Sequence, residues 1–157
     1  MLKQWMTALL DSAEELARTS LGWELSRPTE SVEAIPGEAI GGCVALVGDT
    51  TSAQIGLIAA PSDCQQLCKA LMAGTAEDPD LEESEIVDAL CEMANIMAGC
   101  LKGRLEPVTE PLKLGLPLFV RTPLRLASRQ QLELAPARLG PVETRLMLIH
   151  PFVKEAK

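Results

Sequence analysis

The longest amphipathic stretch of the sequence is Asp80-Leu-Glu-Glu-Ser-Glu-Ile-Val-Asp-Ala-Leu-Cys-Glu-Met-Ala-Asn-Ile-Met-Ala-Gly-Cys-Leu-Lys-Gly-Arg-Leu105. Pro79 and Asp80 are typical of a helix start, and Glu83 completes the pattern of a capping box. Apolar residues recur at steps of three and four, which predicts a long helix with one buried stripe. That stripe consists of Ile86, Leu90, Met93, Met97 and Leu101. We expect the rest of the chain to be organised around this helix.

A line of polar residues runs along the opposite side of the same predicted helix. At about 100° per residue, Asp88, Glu92, Asn95 and Gly99 fall within a narrow arc, which we call the polar line. A solvated face is the ordinary explanation of such a line. However, Asn is about 0.5 kcal/mol worse than Ala inside a helix, and Gly is about 1 kcal/mol worse. Because apolar residues surround the line, the pattern indicates a surface that another molecule approaches closely.

The spacing of the polar line resembles a family signature. Asp88-x3-Glu92-x2-Asn95, continuing Ile96-Met97-Ala98-Gly99, is similar to the motif of the CheC/CheX/FliY chemotaxis phosphatases. In that motif Asp or Ser is followed by Glu four residues on, by Asn three residues further, and by a later proline. The resemblance extends over residues 2–152, and the single motif is most similar to the CheX type. The family proline lies slightly further from the Asn than Pro117 does here.

The resemblance implies a single CheX/CheC-like domain over residues 1–157 with an α/β (α+β) fold. This CheC-like fold is internally pseudo-duplicated, with an antiparallel or mixed β-sheet packed against two long helices. A faint repeat in the sequence agrees with such a duplication. The matching pairs are Asp11 with Asp88, Glu15 with Glu92, Ala17 with Ala94, and Gly22 with Gly99. Arg18 falls where Asn95 stands, so the first copy is predicted to be inert.

The same resemblance implies a phosphatase that removes the aspartyl phosphate of a CheY-type response regulator in chemotaxis signalling. Glu92 would pair with a lysine of that partner, and Asn95 would position the attacking water. Asp88, Gly99 and Pro117 would support docking. No cofactor of the protein's own is implied, because Mg²⁺ is expected to be bound by the phosphorylated partner. A homodimer formed through the sheet is also implied, with residues 114–120 and 146–149 as suitable edges.

The residues alone leave other functions open. No Ser or Cys nucleophile is paired with a histidine, His150 is more simply explained as structural, and there is no Walker-type phosphate loop. Any hydrolytic activity must therefore borrow a nucleophile, a metal or both. One alternative is a non-catalytic CheC-like binding module for a chemotaxis, flagellar-switch or other two-component partner. Another is a ligand-binding domain without phosphatase activity.

The composition argues against several classes of protein. The net charge of −8 and the aromatic content of 3% disfavour nucleic acid as a partner. We expect no signal peptide, and no apolar run approaches the ~20 residues that span a membrane. The five cysteines are an odd number, which predicts reduced thiols and a cytoplasmic location. Cys64 and Cys68 are expected to be buried rather than to bind metal.

Periodicity and turn residues predict the remaining elements. A first amphipathic helix ends at Gly22, and residues 48–51 form a hairpin turn. A second helix begins at Pro61, is capped by Ser62 or Asp63, and ends at Gly74. The predicted strands are residues 23–25, 38–47, 52–60, 112–121, 130–134 and 142–152.

Overall fold

The computed structural model of the protein describes residues 2–28 and 37–151. Helix α1 (Leu2–Leu16) continues as a π-helical turn over Ala17–Leu21, and is followed along the chain by α2 (Pro61–Leu71) and α3 (Glu83–Leu105). The strands are β1 (Leu25–Ser26), β2 (Ile40–Val47), β3 (Ser52–Ala59), β4 (Lys113–Leu114), β5 (Leu118–Arg121), β6 (Gln130–Leu139) and β7 (Val142–Pro151). Within these described ranges, no helix is both long and apolar enough to cross a membrane.

The strands form one antiparallel sheet, which confirms the predicted fold class. Their order is β1-β6-β7-β3-β2-β4, and β5 pairs with the same side of β2 as β4 does. In the described part of the chain, the two expected long helices, α1 and α3, pack on the sheet together with the shorter α2. Helix α2 belongs to this layer because Cys64, Leu67 and Cys68 turn its buried face into the core shared with α1 and α3.

The main core lies between the helices and one face of the sheet. Strand residues alternate between the two faces, so that Ile40, Val44 and Leu46 of β2 point into this core. A smaller apolar cluster covers the opposite face of the sheet. Its buried members are Ala39, Cys43, Ile58 and Met147. The sheet therefore separates a helical layer from a thin outer layer.

Helix α3 crosses β2 at so short a distance that the strand has room only for glycine at the crossing point. A Cβ atom on Gly42 would lie 2.6 Å from the carbonyl oxygen of Leu90. Helix α1 packs against the side of α3, and Glu15 forms an ion pair with Arg104 at 3.6 Å. The sheet and α1 thus hold α3 from below and from one side, which leaves its remaining face to solvent.

The start of α3 differs from the prediction by three residues. The helix begins at Glu83, and its capping box joins Glu82 to Glu85 rather than Asp80 to Glu83. Asp80 is instead the acceptor for the ammonium of Lys69, at 2.9 Å, and Lys69 itself is only 6% exposed. A carboxylate that neutralises a buried cation of α2 cannot also cap α3. The tertiary contact therefore takes precedence over the local capping pattern.

Helix α2 is bounded by backbone features rather than by polar caps. Its first residue is Pro61, with Ala60 as the N-cap, and neither Ser62 nor Asp63 caps it as predicted. The helix ends at Leu71, before the predicted end at Gly74. Ala73 adopts a left-handed conformation with φ of 60°, and the N–H of Gly74 donates to the carbonyl of Lys69 at 2.7 Å. This is a Schellman motif in which alanine takes the place usually held by glycine.

The predicted strand over residues 112–121 is divided in two. Leu114 of β4 pairs with Leu46, and Leu118 of β5 pairs with Cys43, so three residues of the edge oppose two residues of β2. This arrangement is a β-bulge, and Pro117 within it has no N–H to donate to the ladder. The bulge therefore interrupts the edge strand at residues 115–117.

Three further strand predictions were wrong in their extent or position. Strand β6 continues past residue 134 to Leu139, because Pro136 is accommodated opposite Arg145 of β7. Residues 146–149 are not a sheet edge, since β7 lies between β3 and β6 and pairs with both. Strand β1 begins at Leu25 instead of residue 23, and the predicted last residue of β7, Phe152, lies outside the described residues.

The loop after α3 is anchored to the β2–β3 turn by one carboxylate. Glu110 accepts hydrogen bonds from the N–H groups of Thr51 at 2.8 Å and Thr50 at 3.0 Å. Hydrogen bonds from Thr51 and then Thr50 hold the pKa of Glu110 below its ordinary value of 4.5. A carboxyl whose pKa is lowered by folding stabilises the folded state at pH values above its ordinary pKa. This stabilisation is lost as the pH falls through the lowered pKa.

Glu110→Gln is therefore expected to lower the free energy of unfolding at pH 7, with the difference from wild type shrinking as the pH falls below 4.5 and then through the lowered pKa. Urea denaturation at pH 7 and at successively lower pH, down to about pH 2, would measure this difference. Glu24→Gln is the matched control, because Glu24 is an exposed glutamate at the far edge of the sheet. A loss of stability that persisted at the lower pH would show that the charge of Glu110 is not the cause.

Candidate functional site

The polar line lies on the solvent-exposed face of α3, as the functional interpretation requires. Asp88, Glu92, Asn95 and Gly99 are all exposed. The predicted apolar stripe is buried, with Leu90 and Met93 completely inaccessible. Burial also explains most of the apolar residues beside the line, because they pack in the core. Helix α3 thus has one buried and one free face, and the free face carries the polar line.

The side chains of the polar line are not used by the fold. Among residues 2–28 and 37–151, Asp88, Glu92 and Asn95 have no hydrogen-bond or ion-pair partner. Their neighbours on the flanks of α3 do have partners: Glu83 binds Arg121, and Lys102 binds Glu106. A carboxylate and an amide that are one turn apart and unpaired can bind a second molecule without breaking any internal contact. The amide can both donate and accept hydrogen bonds.

Gly99 is exposed and has open space above it. A Cβ atom at Gly99 or at Gly103 would meet no other atom within 4 Å. Packing within the protein therefore gives no reason for glycine at either position, although glycine costs about 0.5–1 kcal/mol relative to alanine in a helix. The cost at Gly99 is accounted for if a partner's backbone comes close to the helix there.

Gly99→Ala is expected to stabilise the protein by about 0.5–1 kcal/mol and to weaken partner binding. Gly103→Ala is the matched control, because it should stabilise equally but lies at the end of the face, one turn beyond the polar line. Urea denaturation would be measured for both variants, together with their binding of the CheY-type receiver that the family resemblance implies. Equal binding by the Gly99 and Gly103 variants would contradict a role of Gly99 in close approach.

Cys43, Cys64 and Cys68 are buried thiols, whereas Cys91 and Cys100 are partly exposed. Burial raises the pKa of Cys64 and of Cys68 to about 12, as expected for residues of the core. Cys91 lies beside Glu92 in the sequence, and burial followed by the charge of Asp88 raises its pKa. A thiol with a raised pKa is a poor nucleophile at neutral pH. All five cysteines are free.

The polar line contains no histidine, cysteine or serine. His150 is in β7, is 7% exposed, and has Nε2 at 3.8 Å from Oε1 of Glu133, which agrees with a structural role. Within the ranges that the structure describes, no cluster of three or more His, Cys, Asp or Glu side chains could hold a metal ion. The chemistry available on this face is therefore that of one amide and two carboxylates.

Pro117 belongs to a different element from the other predicted site residues. It lies in the bulge between β4 and β5 and is half-buried. Strand β5, which begins at the next residue, contacts α3 as well as β2. The structure thus gathers Asp88, Glu92, Asn95 and Gly99 on one helix face, whereas Pro117 helps to shape the sheet edge beside that helix.

The first repeat copy differs from the polar line in its contacts and in its backbone. Asp11 is paired with Arg27, and Glu15 with Arg104, each at 3.6 Å. Arg18 lies within the π-helical turn that follows α1, so it does not continue a regular α-helical line from Glu15. Carboxylates that are already paired are less free to bind a partner, which agrees with the prediction that this copy is inert.

A charged cluster beside the polar line was missed by the analysis of the sequence. Arg121 of β5 donates hydrogen bonds to Glu38 at 3.3 Å and to Glu83 at 3.5 Å. These three residues are far apart in the chain and lie in different segments of it. No local periodicity or motif connects them, and only the pairing of β5 with β2 places them together.

Comparison with known protein families identifies the family of this chain. The model of the family described as chemotaxis phosphatase CheX matches residues 40–133, a segment that runs from β2 into β6 and contains the whole of α3. The chain therefore belongs to the CheX family. No curated protein sequence is similar enough to this chain to count as a match.

Solved structures share the fold at low sequence identity. A chemotaxis protein CheX from Vibrio vulnificus has a TM-score of 0.74 and 16% identity, and the comparison covers 92% of this chain and 97% of that one. The CheX–CheY–BeF3–Mg²⁺ complex from Borrelia burgdorferi has a TM-score of 0.68 and 20% identity, with coverages of 95% and 98%. The FliM middle domain from Vibrio alginolyticus has a TM-score of 0.63 and 9% identity, with coverages of 96% and 92%.

Proposed function

We propose that this protein hydrolyses the aspartyl phosphate of a CheY-type receiver domain in chemotaxis signalling. The observation that carries the proposal is the exposed and unpaired Glu92/Asn95 pair on α3, in a chain of the CheX family. The similar complex of CheX with CheY, BeF3 and Mg²⁺ supports a receiver domain as the partner. Mg²⁺ would be held by the phosphorylated receiver, and the protein needs no cofactor of its own.

Each residue of the polar line has a separate part in this proposal. Glu92 pairs with a lysine of the receiver and sets the orientation in which α3 docks. Asn95 then enters the receiver's site and hydrogen-bonds a water molecule in line with the acyl phosphate. The water oxygen bonds to phosphorus while the bond from phosphorus to the aspartate oxygen breaks, which releases phosphate and restores the carboxylate. Asp88, Gly99 and Pro117 support the docking.

An amide suits this reaction because the part proposed for Asn95 is to hold the attacking water in position. Asn95 accepts a hydrogen bond from the water and does not take up the proton itself, so it does not change charge with pH. Holding a reactant in the attacking geometry removes an entropic part of the barrier. The reaction needs little covalent chemistry from the protein, because phosphoryl transfer depends mainly on positioning and charge stabilisation.

The test is release of inorganic phosphate from phosphorylated receivers. Each CheY-type receiver domain of the same genome would be phosphorylated by a small-molecule phosphodonor and mixed with catalytic amounts of the protein. We expect faster dephosphorylation of at least one receiver. If every receiver loses phosphate at its intrinsic rate, the protein is not a phosphatase of this class. A non-catalytic binding module, a reading favoured by the fold shared with the FliM middle domain, would then be supported by receiver binding without turnover.

A homodimer formed at one edge of the sheet is part of the same proposal. The edge strands β4 and β5 expose Leu116 at 85% and Leu118 at 59%, which is unusual for apolar side chains next to an unpaired strand edge. Pairing of two such edges would cover both residues. Sedimentation at micromolar concentration is expected to show a dimer, which Leu118→Glu should dissociate. A wild-type monomer under these conditions would refute the dimer.

A cytoplasmic location also remains a prediction. The free thiols are consistent with a reducing compartment, and the proposed receiver partner would have to be in the same compartment. Fractionation of cells that express the protein at natural levels would test it, and recovery from a secreted fraction would contradict it.

A further inference from the structure

A groove of about 350 Å³ lies beside the N-terminal end of the polar line. It is bounded by the first turns of α3, by β5 and by the start of α2. Its apolar floor includes Ile40, Val87 and Phe119. Its polar rim is formed by Glu38, Glu83 and Arg121. Val87 lines the groove and directly precedes Asp88. The groove therefore adjoins the N-terminal end of the polar line, about 100° round the helix from it.

The rim of the groove has an excess of negative charge. Arg121 lies between Glu38 and Glu83, at 3.3 and 3.5 Å, and is the partner of both. The two carboxylates are 61% and 81% exposed, so each keeps oxygen lone pairs that no described residue uses. Two carboxylates that share one guanidinium leave a net charge of −1 at the mouth of the groove.

The floor of the groove matches the stem of a long basic side chain. Phe119 lies beneath the guanidinium of Arg121, with 5.7 Å between Cζ and the ring centroid. An aromatic ring in this position is also able to hold an incoming cation. Lysine and arginine bury their methylene groups on apolar surfaces while the charged end reaches polar groups at the rim. The apolar floor of the groove can therefore bury the methylene groups of a lysine or arginine, and the two carboxylates at the rim can accept hydrogen bonds from its charged end.

The fold itself gains little from this cluster of charges. Exposed ion pairs contribute about 0–1 kcal/mol to stability, because water screens them and ordering the side chains costs entropy. Arg121 is 52% exposed, so both of its pairs belong to this class. Rearrangement of the cluster on binding would therefore be inexpensive.

We propose that this groove is a specificity pocket that receives a lysine or arginine side chain of the receiver domain. This inference rests on the proposed function, because it assumes that the receiver docks on the polar line. The basic side chain inserts between Glu38 and Glu83 and competes with Arg121 for both carboxylates. Arg121 thus acts as a resident cation that weakens binding of receivers without a basic residue at the matching position.

Because Arg121 and the incoming basic side chain compete for the same carboxylates, the glutamate variants and the Arg121 variant are expected to change the affinity for the receiver in opposite directions. Glu38→Gln and Glu83→Gln are each expected to raise the Kd of the receiver about two- to fivefold, and Arg121→Gln to lower it by a similar factor. The probe is the receiver that the wild type dephosphorylates fastest, activated with beryllofluoride and Mg²⁺, with binding measured by calorimetry. All of these effects should shrink as salt is raised, because the groups are exposed.

Glu24→Gln is the matched control for the loss of one negative charge, since Glu24 is an exposed glutamate next to β1 at the far edge of the sheet. This control variant should bind the receiver as the wild type does.

If the cluster only supported the fold, all three rim variants would weaken binding together and lower the urea midpoint. Unchanged Kd for both glutamate variants, or weaker binding by Arg121→Gln, would overturn the pocket while phosphate release by the wild type still supported the proposed function. If no receiver is bound or dephosphorylated, the proposed function fails and the pocket fails with it.

Discussion

Replacing Asn95 by alanine is expected to reduce turnover of the phosphorylated receiver about 100-fold or more, with binding of the receiver almost unchanged. In the proposed mechanism the amide acts on the attacking water, which is held in place mainly in the transition state, so loss of the amide should lower kcat. The protein should not be destabilised, because Asn95 is exposed and unpaired in the described structure and alanine is a better helix former. Single-turnover phosphate release and calorimetric binding would separate the two effects.

Two controls accompany the Asn95 variant. Ser84→Ala removes another exposed polar group from the same side of α3 and should keep wild-type turnover. Arg18→Asn restores the amide of the first repeat copy but should add no turnover, because Glu15 remains paired with Arg104. If Asn95→Ala keeps wild-type turnover, the assignment of phosphatase activity to this helix is wrong, and the binding-module interpretation replaces it.

Replacing Glu92 by alanine is expected to weaken docking by about 2 kcal/mol, which is close to a 30-fold increase in Kd. In the proposed complex the variant leaves a lysine of the receiver without its partner in the interface, so most of the expected effect is the cost of that unpaired charge. KM should rise by a similar factor. Turnover at saturating receiver should fall much less than in the Asn95 variant.

The effect of the charge of Glu92 on binding can be separated from the effect of its shape, because glutamine has the same shape without the charge. Glu92→Gln should lose most of the same binding energy, and raised salt should narrow the gap between variant and wild type. Glu14→Ala, at an exposed glutamate of α1, is the control for net charge and should bind normally. A Glu92 variant with normal Kd and reduced kcat would refute the docking role and place Glu92 in the chemical step instead.

The amino-acid sequence by itself determined the features that depend on local periodicity. Ile86, Leu90 and Met97 recur at helical spacing, and all are buried in α3. The same periodicity placed Asn95 on the opposite face, which the structure leaves exposed. The β2–β3 hairpin was also predictable, because the turn sequence at residues 48–51 separates two apolar runs, and the structure pairs the two strands across that turn. A side chain's face on a helix or strand follows from its number in the element, so no distant contact is needed to infer it.

Features that depend on contacts between distant segments were decided only by the tertiary structure. Residues 146–149 read as an edge strand, yet β3 and β6 both pair with β7 and make it interior. Asp80 read as a helix cap, yet the buried ammonium of Lys69 binds its carboxylate. The groove brings Glu38, Glu83 and Arg121 together from three separate segments. In the first two cases the free energy of completing a strand ladder or of pairing a buried cation exceeds a local preference of about 1 kcal/mol. In all three, the sequence does not state which distant segments meet.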